Sequence, residues 1–147
     1  MPSYTYHYFD LRGKGETCRL CFAAAGVEFK DHRIDYAAWP GDYKAATPFG
    51  QLPYLEIDGQ KFAQSGAIIY YGKLDKELAL YFKKISFYYF VFQLTLADLS
   101  VYDILENSYR DFSNIYSSYP KVVDNRKKVA ALPRIAEYLS KRKATDI

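Results

Sequence analysis

Three short stretches of the chain carry residue types that could do chemistry. The first is Leu52-Pro53, inside "PFGQLPYLEIDGQKFAQS", residues 48–65. A proline cannot donate to a sheet ladder, so at the head of an apolar run it marks the first position of a strand, and a cis bond before it makes sense of the placement. That geometry turns the Leu52 N–H and C=O toward a groove, where an extended peptide could pair with them as an added strand. The second stretch is Gln64-Ser65, at the opening of a helical pattern. A helix N-terminus offers unpaired N–H groups and roughly half a positive charge, so it attracts a carboxylate, and Gln64 can donate to the same group. Together the two stretches would hold a short, acidic peptide. The third is Cys18-Arg-Leu-Cys21. A Cys-x-x-Cys at a helix N-terminus can run thiol–disulfide exchange when the helix dipole lowers the thiol pKa. Here the pair begins inside the first turn, where buried cysteines act as small hydrophobes.

The elements that must position these groups are legible from periodicity. Tyr4 to Phe9 alternates as a strand, with Tyr4, Tyr6 and Tyr8 on one face and Thr5, His7 and Phe9 on the other. After the break "DLRGKG", Glu16 to Ala25 reads as a helix stopped by Gly26. "VEFKDHRI" reads as a second strand, and Tyr36 to Pro48 as a connection with a weak helical turn. Asp58-Gly59 between "LPYLEI" and "QKFA" is a hairpin signal, because both central turn positions favour positive φ. Ser65 then serves as the N-cap of "SGAIIYYGKLDKEL". Farther on, "TLADLSVYDILENSYRDF" is one amphipathic helix opened by a capping box of Thr95 and Asp98, and the tail gives two helices divided at Pro133.

The totals exclude several classes. A chain of 147 residues, half of them hydrophobic, can build one core or two small joined ones. A net charge of +3, from 20 basic and 17 acidic residues interspersed, argues against nucleic acid as the main partner. The run "NRKK" at Asn125 to Lys128 reads as a solvated helix face. "MPSYTYHYF" lacks a basic segment followed by an apolar stretch and cleavage site, and nothing reaches the roughly 20 apolar residues of a membrane span. A soluble, cytoplasmic protein without membrane partners is the expectation. Two cysteines make no disulfide framework, and most of the 16 Tyr and 10 Phe must be packing.

The joint pattern is more specific than its parts. "PFGQLPYLEIDG", "FAQS" and "YHYFDLRGKGETCRLCFAAAGVEFKDHRIDYAAWP" resemble the glutathione-binding half of the sigma-class cytosolic glutathione transferases, and "LTLADLSVYDIL" with "YPKVVDNRKKVAALPRIAEYL" is similar to their C-terminal helices. The resemblance implies an α/β thioredoxin-like N-terminal domain (βαβαββα) at 1–76 and an all-α C-terminal domain at 77–147. It implies a detoxification enzyme, a homodimer, that adds glutathione to hydrophobic electrophiles, in a class with prostaglandin-isomerising members. Glutathione enters as co-substrate, with no cofactor and no metal. Carried over residue by residue, Tyr8 is the catalytic tyrosine. Trp39 and Lys44 take the glycine carboxylate of glutathione, Leu52 beside cis-Pro53 pairs with its backbone, Gln64 and Ser65 take its γ-glutamyl end, and Gln51 is a further contact. Arg12 and Lys14 support the sulfur site, Lys14 standing where the family usually has arginine and so lacking its fork of donors.

The chemistry so implied has a magnitude. A thiol ionising near pH ~8.5 is only a few per cent thiolate at neutrality, and the thiolate is the nucleophile. Each unit of pKa lowering needs about 1.4 kcal/mol, and one charge-assisted hydrogen bond from a phenol supplies roughly 1.5 to 3. Two alternatives stay open: a non-catalytic carrier or structural protein that keeps the groove, and a thiol oxidoreductase built on Cys18 and Cys21. The resemblance also breaks between about residues 77 and 90, where roughly 50 positions of the family pattern have no counterpart. The helices missing there carry the dimer contact and a wall of the electrophile pocket. "SFYYFVF", Ser86 to Phe92, is then expected to be an exposed, β-prone apolar segment that lowers solubility.

Overall fold

The computed structural model describes residues 2–74 and 94–145. The aromatic segment 86–92 and the join at 77–90 lie outside the described residues. Strand β1 (Tyr4–Phe9) leads through a single-turn loop into α1 (Glu16–Ala25), then β2 (Lys30–Ile34). Irregular helical turns over 36–50 precede β3 (Tyr54–Ile57), β4 (Gln60–Ala63) and α2 (Ser65–Leu74). The sheet runs β2-β1-β3-β4, with β1 parallel to β2 and antiparallel to β3, and β3 antiparallel to β4. This is the expected thioredoxin-like arrangement. Asp58 at φ 49° and Gly59 at φ 85° make the tight hairpin turn that the Asp-Gly pair predicts.

The second strand is shorter than its sequence pattern. Gly26, at φ 69°, accepts the left-handed conformation that closes α1, and the Val27 N–H still donates to the Phe22 carbonyl at 3.1 Å. Val27 therefore belongs to the helix cap, and pairing begins only at Lys30. The expected two-sided character of β1 is also modified. Tyr4, Tyr6 and Tyr8 are buried, and so is His7, which stacks on the Tyr54 ring at 4.1 Å between centroids. Burial pushes the His7 pKa down to about 4.

The second half is helical: α3 (Leu96–Ile104), α4 (Glu106–Asp111), α5 (Ser113–Tyr116), α6 (Pro120–Ala130) and α7 (Pro133–Lys141). The capping box is present: the Thr95 side chain accepts from the Asp98 N–H, and Asp98 accepts from the Thr95 N–H at 2.7 Å. The single helix expected over 95–112 is broken at Leu105. There Leu105 adopts φ −90°, ψ 1°, outside the helical region, while its carbonyl accepts both the Tyr109 N–H at 2.8 Å and the Ser108 hydroxyl at 3.2 Å. Pro133 divides the last two helices, as the proline rule requires.

One core joins the halves. Tyr6, Leu20, Phe22 and Leu55 from the first half meet Leu99, Val129 and Ile135 from the second, all nearly inaccessible. Full burial of each aliphatic or phenyl side chain contributes about 1.5 to 3 kcal/mol. Beside this core runs a buried charge network. Glu16 and Arg19, both fully inaccessible, pair at 3.4 Å, Arg19 reaches Asp31 at 3.1 Å, and Glu16 accepts from Tyr138 at 2.9 Å and Arg142 at 2.8 Å. Charges this deep persist only when every one is matched, so the network ties α1 to α7.

Candidate functional site

Tyr8 stands near the end of β1 with its ring buried. Its oxygen accepts the backbone N–H of Lys14 at 3.0 Å. Two glycines make this approach possible. A Cβ on Gly15 would fall 2.3 Å from Tyr8 Cδ1, and one on Gly13 would fall 2.9 Å from the phenol oxygen. The loop lies against the ring because those side chains are missing. The Arg19 guanidinium sits 5.7 Å from the ring centroid, a cation over the ring.

Burial is the leading influence on the Tyr8 pKa and raises it, while the Lys14 hydrogen bond acts in the lowering direction and Asp103 in the raising one. The phenol therefore stays protonated at neutral pH. With one lone pair engaged by Lys14, its O–H proton is left to donate. Of the two expected supporting residues, Lys14 meets the Tyr8 oxygen through its backbone N–H, its side chain being exposed. Arg12 is directed elsewhere: it pairs with Glu106 at 3.2 Å and donates to Asn107.

Of the remaining candidates, Gln51, Leu52 and Pro53 precede β3 and Gln64 and Ser65 follow β4, at the strand ends beside the close of β1, while Trp39 and Lys44 lie in the 36–50 connection. The Leu52-Pro53 bond is cis. Pro53 is buried, Leu52 is half-buried, and among the described residues no hydrogen bond takes up the Leu52 N–H or C=O. Gln64, at φ 75°, donates from its own backbone to the Pro53 carbonyl at 3.2 Å and from its side chain to Gln51 Oε1 at 2.6 Å. This alters the expected cap. Ser65 is the first residue of α2, and Gln64 precedes it, its carbonyl accepting the Ile68 N–H at 2.9 Å. Lys44 is exposed and its stem passes Gly50, with Cε 3.6 Å from where a Cβ would stand there. Gln51 and Gln64 thus meet directly, and Lys44 lies against Gly50, the residue before Gln51. Trp39 lies in the connection: its ring meets Phe9 edge-on at 5.4 Å, and Phe9 meets Tyr8 at 5.5 Å.

The cysteines behave oppositely to an activated thiol pair. Both are free and buried, and desolvation pushes the Cys18 thiol up to about 12. Cys18 Sγ lies 3.7 Å from the Ser65 carbonyl, so it packs α1 against the start of α2.

Sequence reasoning passed over Gly13, Gly15 and Asp103. The spacing of "GKG" is itself a sign of close backbone approach, but only the fold names Tyr8 as the group approached. Asp103, on α3, accepts from the Thr17 hydroxyl of α1, and burial first, then Glu16 and Glu106, push its pKa up to about 6.

Comparison with known proteins bears on the family and the fold. Models of the glutathione S-transferase N-terminal and C-terminal domains match residues 4–72 and 47–142. S-crystallin 3 of Enteroctopus dofleini is 29% identical over 215 aligned positions, covering 99% of this chain and 100% of that protein, so the 147-residue chain is the shorter. The hematopoietic prostaglandin D synthase of Gallus gallus is 47% identical over 79 residues, 54% of this chain and 39% of that one. Among solved structures, the glutathione S-transferase from Ascaris lumbricoides is 29% identical with a TM-score of 0.79, covering 99% of this chain and 100% of its own. With a domain model spanning more than half of its length and a thioredoxin-like sheet leading into helices, the chain belongs to the glutathione S-transferase family, an enzyme family that takes glutathione as its co-substrate.

Proposed function

We propose that the chain activates the thiol of glutathione with Tyr8 and adds the resulting thiolate to small hydrophobic electrophiles, with prostaglandin isomerisation as a related activity. The observation that carries the reading is the hydrogen bond from the Lys14 N–H to a buried phenol whose pKa is raised. A phenol so held presents a proton in a fixed direction and does not surrender it, which is what stabilising a thiolate demands. Extended glutathione pairs with the Leu52 backbone, its glycine carboxylate reaches Lys44 and Trp39, its γ-glutamyl end meets Gln64 and Ser65, and Gln51 is a further contact. The thiolate attacks the electrophilic carbon as the leaving group departs with its electron pair; the thiol proton goes to water. The same reading takes 1–76 as the glutathione-binding domain, 77–147 as the helical domain, a homodimer as the assembly and the cytoplasm as its place.

Tyr8→Phe removes one hydrogen bond to a charged sulfur, about 1.5 to 3 kcal/mol, so turnover of an aryl halide falls roughly tenfold to a hundredfold. Glutathione affinity changes little. Unchanged turnover and unchanged thiolate absorbance in the variant would return Tyr8 to a packing role. Whole-length similarity to S-crystallin 3 favours a second reading, a non-catalytic structural or carrier protein. It predicts retention on immobilised glutathione without any turnover.

A further inference from the structure

The β1–α1 loop and the helical half enclose a second concavity that the glutathione reading does not use. It is a cavity of about 300 Å³ lined by Arg12, Glu106, Arg110, Arg126, Arg142 and Lys143, among others, and not by Tyr8, Trp39 or Gln51. Five of these side chains are cations and one is a carboxylate. Glu106 already serves both Arg12, at 3.2 Å, and Arg142. Arg142 also reaches Glu16, which serves Arg19; Arg110 pairs with Asp111 at 2.8 Å, and Lys143 shares Asp10 with Arg33. Positive charge therefore exceeds negative in a partly desolvated recess, and a bound anion lowers that self-repulsion.

Arg126 is the distinctive member. Its guanidinium carbon lies 4.5 Å from the centroids of both the Tyr102 and the Tyr109 rings, and one Nη donates to the Tyr102 carbonyl at 3.1 Å. Among the described residues no carboxylate pairs with it. Contact with two rings and the bond to the Tyr102 carbonyl hold the guanidinium in place, so little side-chain freedom is lost when its other N–H groups bind. A planar fork matches the paired oxygens of a carboxylate or phosphate.

We propose that this cavity binds the carboxylate or phosphate group of a small metabolite, with Arg126 as the two-pronged anchor and Arg12 and Arg142 supplying the surrounding field. The volume suits a small molecule rather than a polymer. The inference is independent of the glutathione site.

Calorimetric titration of the full chain with pyrophosphate and, separately, with citrate, at ionic strength fixed by potassium chloride, tests it and distinguishes phosphate from carboxylate. The expected result is one saturable site for at least one probe. Arg126→Met weakens it at least tenfold, and Arg126→Lys, which keeps the charge but loses the fork, weakens it severalfold. Retention on immobilised glutathione is unchanged in both. Amide shifts on binding, read by NMR on the unsubstituted protein, fall at Tyr102, Tyr109 and Arg126, so the proposal stays testable if a variant fails to fold. Absence of saturable binding, folded variants that bind as the parent does, or shifts gathered instead at Lys44 and Gln64 would each overturn it.

Discussion

Tyr8 and the two glycines against it are a single mechanical unit. The ring is one of many tyrosines in the chain, and what distinguishes it is the backbone that closes on it: the Lys14 N–H at 3.0 Å, and glycines where any side chain would collide. Gly15→Ala should therefore act through Tyr8. With a Cβ 2.3 Å from Tyr8 Cδ1, either the ring or the loop must move. The expected cost is about 1 to 3 kcal/mol of stability, as for other overpacked sites. Conjugation rate should fall by an amount comparable to Tyr8→Phe, and the double variant should lose little beyond either single one. Denaturant melts and a double-mutant cycle on turnover check this; additive losses would separate the glycine from the phenol.

At the level of elements, the contact of α1 with α3 is sensitive to pH. The Asp103 carboxyl, which accepts from Thr17, has its pKa pushed from the ordinary 3.8 up to about 6. A folded-state pKa above the unfolded one means that the folded chain holds more protons between these values. Stability thus falls as pH rises from about 4 to about 6, and the loss persists at neutrality. Asp103→Asn keeps an oxygen for the Thr17 hydroxyl and removes the charge. The variant should match the parent near pH 4 and exceed it at pH 7 by roughly 1 to 3 kcal/mol, measured by urea unfolding at both values. A parallel pH dependence in both proteins would assign the slope to another group.

Across the whole molecule, the two halves are joined by apolar packing and by charge. Arg142, just beyond α7, donates to Glu16 at 2.8 Å and pairs with Glu106, and so connects the last helix to the first one and to α4. Arg142→Ala strands a fully inaccessible Glu16 with fewer donors, and the loss of one partner of a buried pair costs about 3 kcal/mol. Thermal unfolding should shift down by several degrees, and hydrogen exchange should quicken in α1 and α7 together. Faster exchange in α7 alone would show that the network does not couple the halves.

Local physics was written in the chain and could be read there. The alternation of Tyr4 to Phe9, the Gly26 stop, the Asp58-Gly59 turn, the Thr95–Asp98 box and the Pro133 break each depend on neighbours a few residues apart, and each is present. The joint motif around Pro53 and Gln64 likewise foretold the family. What the sequence could not determine depends on residues far apart. The short β2 and the helical position of Ser65 follow from hydrogen bonds at element ends, and the break at Leu105 from a backbone at φ −90°, ψ 1°. The turning of Arg12 to Glu106, the burial of Glu16 with Arg142, the closing of Gly15 on Tyr8 and the contact of Arg126 with two rings exist only once the helices are placed. Periodicity records which face of an element is apolar, but the partner of a buried charge is chosen by tertiary distance, since electrostatic and steric energies depend on separation in space and not along the chain.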